Sequence, residues 1–176
     1  MLFSDRSLWT MFHGIVLSGG ALIVLVVAIH ALRLLAPVNG DAVPDRNAKA
    51  VVHLTTAAAV LLWLAVLGGT YIVFPMYRAA PPEGVTALAD YPRALLLSNP
   101  DTAWLHGFGM EVKEHVPWIA AMMVTAAAFL VRRHPAAVLS DAGLRRATGT
   151  MLSVSLVMVL FVALLGMFVN KVAPVW

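Results

Sequence analysis

Apolar residues along this chain gather in four long runs separated by short polar stretches. The runs extend over about 8–35, 50–76, 117–131 (with an N-terminal extension) and 150–169. A hydrocarbon core takes about 20 helical residues to cross. The pattern therefore predicts an all-α fold, a four-helix transmembrane bundle with a short interfacial helix before the third span. Pro37 ends the first run, and Arg132, Arg133 and Pro135 end the third. The longest polar stretch is 79–103. Its Asn99-Pro100-Asp101 is a helix start, with Asn99 as cap and Pro100 at the first helical position. Pro117 either kinks the third helix or begins it afresh, because proline lacks the amide donor and disfavours helix at the residue before it.

Composition agrees with the pattern. Of 176 residues 61% are hydrophobic and 12% charged, half the charged share of an ordinary soluble domain, about 25%. Nearly all of the chain enters the spans, so residues 1–176 read as a single integral membrane domain. The apolar run near the N-terminus is too long for a signal peptide and reads as a retained helix. A net charge of +3 brings nucleic acid to mind, but the basic residues collect at helix ends, where they set topology. No cysteine is present, which excludes disulfides, thiolate ligands, iron–sulfur clusters and covalently attached c-type haem.

The charge between the spans predicts an orientation. The first and third connections and their flanks hold Arg33, Arg46, Lys49, Arg132, Arg133, Arg145 and Arg146. The other side has Arg6, Arg78, Arg93, Lys113 and Lys171, diluted by Asp5, Glu83, Asp90, Asp101, Glu111 and Glu114. The positive-inside rule places the first group in the cytoplasm and both termini outside. A multi-pass protein of a bacterial inner membrane, with periplasmic termini, is the expectation.

Candidate chemistry lies with histidine, which is costly in lipid and usually turns toward a bundle interior. His13 lies twenty residues from Arg33 and His115 seventeen from Arg132, depths of ~30 and ~25 Å at the helical rise. They are close to level near the outer face. His30 and His53 are level near the inner face, three residues from Arg33 and four from Lys49. Two opposed pairs at two depths suit two bis-histidine iron-porphyrin sites on facing helices. The seventeen-residue step from His13 to His30 leaves them about 100° apart on a straight helix and about 50° apart in a left-handed supercoil, so both can look inward. Gly20, Gly68 and Gly69 either make room for a flat macrocycle or let helices pack closely. Glu111 and Glu114 either orient His115, raise its proton affinity, or form a solvated face. His106 is the reserve outer ligand, and His134 belongs with the basic interface.

The four spans and the placement of His13, His30, His53 and His115 resemble the small four-helix membrane cytochrome b subunits. These include the anchor subunits of succinate dehydrogenase and formate dehydrogenase types and the b561-like proteins. The seventeen-residue spacing departs from the heptad-multiple spacing of many two-haem relatives and puts His30 most in question. The resemblance implies one or two non-covalent b-type haems, with His13 and His115 on an outer iron and His30 and His53 on an inner one. It also implies electron transfer to or from quinone as a subunit of a respiratory or photosynthetic complex, beside other membrane or periplasmic electron-transfer subunits. Two other classes compete: a haem-free structural subunit, and a proton or metal-ion pathway through Glu111, Glu114 and the outer histidines.

Overall fold

The computed structural model describes residues 3–38 and 41–174. Among them there is no strand. Four long helices are apolar enough to cross a membrane: α1 Asp5–Leu34, α2 Asp45–Arg78, α4 Pro100–Arg133 and α6 Ala142–Val172. Two six-residue helices, α3 Pro92–Leu97 and α5 Pro135–Ser140, lie in the connections. Each long helix begins seventeen residues or fewer before the apolar run that marks it. The largest difference is in the third, where α4 begins at Pro100 and passes through Pro117 without interruption. The expected separate interfacial helix is thus the first part of α4. Asn99 does cap it, its side chain accepting from the Asp101 amide at 2.9 Å. Pro117 has no amide hydrogen for the carbonyl four residues back, that of Lys113.

The four helices form a ring in which each long helix packs on the next, and α6 closes against α1. Lipid offers no hydrophobic drive for helices to associate, so close packing of small residues must hold them. The buried seam fits this. Ala21 and Ala28 on α1, Ala58 and Ala65 on α2, and Ala120 and Ala127 on α4 are all buried at intervals of seven residues, the repeat of a left-handed bundle. Leu25, Leu62, Val124 and Leu152 fill the space between. The outward face is lipid-like, with Ile15, Ile23, Phe129, Val157 and Met167 exposed. Buried hydroxyls are satisfied on their own helices. Thr55 donates to the Val51 carbonyl at 2.8 Å and Ser155 to Met151 at 2.9 Å, the back-bond that lets serine and threonine sit in a helix.

A second apolar cluster closes the end that carries both termini. Leu96 of α3 is fully buried there with Tyr77, Leu105, Met110 and Val169. Arg6 donates to the Asp90 and Pro174 carbonyls, each at 3.3 Å, tying the long connection and the C-terminal segment to α1.

Candidate functional site: a polar centre inside the bundle

Three of the four long helices widen into π-helical turns, all in the half of the bundle near the termini: Phe12–Gly19 in α1, Gly69–Val73 in α2 and Leu105–Met110 in α4. A π turn inserts a residue and shifts the hydrogen-bond register, and such turns gather at functional sites. In α1 the displaced His13 carbonyl accepts the Ser18 hydroxyl at 2.9 Å. The widened turn aims His13 and Leu17 at α2, where they pack on Gly69 and Gly68. A Cβ at Gly69 would lie 2.7 Å from His13 Cε1 and 3.3 Å from Nε2. The glycine is what lets the imidazole reach the backbone. The Ala65 carbonyl approaches the ring, yet the enclosed Nδ1 ends with no hydrogen-bond partner among the described residues.

Lys113 completes the centre from the opposite side. It lies seven residues before Ala120, on the buried seam of α4, and its ammonium packs over Gly166 of α6, 3.1 Å from where a Cβ would stand. Gly166 itself follows Val159 by seven residues on the seam of α6. Lys113 is close enough to His13 to act on it electrostatically. Among the described residues no carboxylate pairs with it. Each of the four helices thus supplies one component: His13, Gly69, Lys113 and Gly166.

Between this centre and the surface lies a hydrogen-bonded group. Arg93 Nε donates to His106 Nε2 at 3.4 Å, and His106 Nδ1 lies 2.8 Å from the Tyr77 hydroxyl. With Nε2 accepting, the neutral imidazole carries its proton on Nδ1 and donates it to the Tyr77 oxygen. Phe74 stacks on Tyr77 and Arg78 covers Phe74. Glu111 and Glu114 both act on His106 electrostatically, and Glu114 also acts on Tyr77.

The expected histidine pairs are not assembled inside this chain. His115 points outward, its side chain 71% exposed, with Nδ1 2.8 Å from the Glu111 carbonyl and 3.8 Å from the Glu111 carboxylate. His30 is exposed and donates from Nδ1 to the Val26 carbonyl at 2.9 Å. His53 is exposed as well. Of the four expected ligands only His13 turns inward, and its ring packs on Gly69, as Leu17 packs on Gly68, so these two glycines bring α1 and α2 close together. The sequence reading missed Lys113, Tyr77 and Arg93. The available signal for Lys113 was its place on the seven-residue seam of alanines. No protein family, characterised protein or solved structure matches this chain.

Proposed function

We propose that this chain is a multi-pass membrane protein that carries protons from the outer face to a polar centre part-way into its bundle. The observation that carries this reading is the pairing of Lys113 with His13 inside the ring of helices, where neither has a carboxylate partner among the described residues. Ionisable groups within spans are costly and mark proton or ion paths. Glu111 and Glu114 collect protons at the surface, His106 and Tyr77 lie next inward, and Lys113 and His13 are the terminus. Beyond them the seam is apolar, with Leu25, Val124, Leu32 and Val131 fully buried. The proposed path is therefore a half-channel that ends at the centre. The charge distribution favours an inner membrane with the termini outside.

Solid-state NMR of ¹⁵N-labelled protein in vesicles tests this. The protons on Lys113 Nζ and the His13 ring should exchange with solvent deuterium, and Tyr77→Phe with His106→Ala should slow that exchange. Protons that do not exchange at either group would sink the reading.

A second reading keeps the haem and moves it to an interface between chains. It is favoured by the Nδ1 bonds of His30 and His115 to their own helix carbonyls. Such bonds leave Nε2 outward, the arrangement found in metal-ligating imidazoles. A reduced-minus-oxidised spectrum of the native complex with b-type bands that disappear in His30→Ala or His115→Ala would support it, and a spectrum without those bands retires it.

A further inference from the structure

At the opposite end from His13, a cavity of about 250 Å³ opens between α1 and α6. Three guanidiniums line it, Arg33 from α1 and Arg145 and Arg146 from α6. Arg145 is anchored through one terminal nitrogen to the Leu139 carbonyl, and Arg146 through Nε to the Ala142 carbonyl at 3.1 Å. Those bonds fix the two side chains and leave their remaining donors free. Arg33 has no protein partner among the described residues. The carboxylate nearest Arg145 and Arg146 in sequence, Asp141, caps α6 by accepting from the Leu144 amide at 2.7 Å. Thr150 and Ser153 add hydroxyls to the wall, and Gly149 has open space where a Cβ would stand.

We propose that this cavity holds the phosphate of an anionic glycerophospholipid. Three cations with planar donor forks suit a phosphate diester, and basic pockets between transmembrane helices bind anionic headgroups. The walls decide between a lipid and a free anion. Ile29, Leu32 and Val154 make the cavity apolar on its membrane side. One and two turns further along the same faces, Val26 on α1 and Val157 and Phe161 on α6 are exposed. Arg33 stands in the last turn of its span, the depth of the glycerophosphate layer. A phosphate held by the arginines therefore leaves its acyl chains lying along an apolar track between α1 and α6.

The test is lipid retention by the full chain, read by native mass spectrometry after purification from vesicles of phosphatidylcholine with phosphatidylglycerol. One phosphatidylglycerol per chain is expected. The double variant Arg33→Gln with Arg146→Gln should weaken retention about thirtyfold, at roughly 1 kcal/mol per cation near a charged headgroup. Lys49→Gln, a basic residue of the same end outside the cavity, should leave it unchanged. Thr150→Val with Ser153→Ala keeps all three charges and should weaken retention less, which holds the test open if the arginine variant misfolds. Equal retention of phosphatidylcholine, or retention unchanged in both double variants, overturns the proposal. Displacement of the lipid by millimolar inorganic phosphate would show a free-anion site and overturn it too.

Discussion

The contact between His13 and Gly69 is tight enough that a single methyl group tests it. A Cβ at 2.7 Å from a ring carbon requires either the imidazole or the α2 backbone to move. Overpacking of this kind costs about 1–3 kcal/mol. Gly69→Ala is expected to lower the unfolding midpoint in detergent, and His13→Ala in the same chain should relieve most of that loss. A double-mutant cycle measures the coupling directly; additive effects would mean that the two residues do not meet. Gly166→Ala meets only the flexible end of Lys113 and should cost less. Lys113 makes a contrasting case. A half-buried cation without a carboxylate among the described residues is uncompensated, and replacing charge taken out of water with an apolar side chain of similar volume is often neutral or stabilising. Lys113→Met should therefore hold or raise the unfolding midpoint while slowing solvent exchange of the His13 ring proton. A clear loss of stability would show that the ammonium has a structural counter-charge.

At the scale of elements, the apolar runs located the spans and misjudged where one of them begins. The α4 helix carries Gly107, Gly109, Glu111, Lys113 and Glu114 in its first half, and these residues dilute the apolar signal that reports a span. Gly109 packs on Leu165 and Lys113 on Gly166 of α6, so this stretch belongs to the helix for reasons that only packing reveals. The cap at Asn99 was the better guide. The three π turns had no sequence signature, since each depends on what its displaced side chains meet on the neighbouring helix. Capping at the other end is equally testable. Asp141 is the only side-chain cap of α6 among the described residues, and losing such a cap costs about 1 kcal/mol. Asp141→Ala should speed hydrogen exchange at the Leu144 amide and its neighbours in the first turn, with little change beyond Leu152. Unchanged protection there would mean that packing on α5 holds the turn alone.

For the molecule as a whole, burial separates the histidines in a way that depth arithmetic does not. His13 and His115 are level along the membrane normal in the sequence reading, and so are His30 and His53, but level is a statement about height only. Whether an imidazole enters the bundle depends on its angle to the buried seam. That seam is fixed by Ala21, Ala28, Ala120 and Ala127, and His30, His53 and His115 lie off it. The same seam passes through Lys113, a residue first counted only as a topology charge. The bundle's two ends are also chemically unlike. One holds the Arg33, Arg145 and Arg146 cavity, and the other holds the carboxylates Glu111 and Glu114 with the Tyr77–His106 group. An anionic-lipid site among arginines would belong in the leaflet to which the positive-inside rule assigns them, so the proposed site and the expected orientation are tested together. The chain has no cysteine, which gives a clean background for measuring it. A membrane-impermeant maleimide added to intact cells should label Glu83→Cys in the long connection before α3. It should leave Asp141→Cys, in the connection before α6, unlabelled until the membrane is permeabilised. The reverse pattern would place the arginine cavity in the outer leaflet and the mouth of the proton path on the inner face, and would invert the direction of the proposed half-channel.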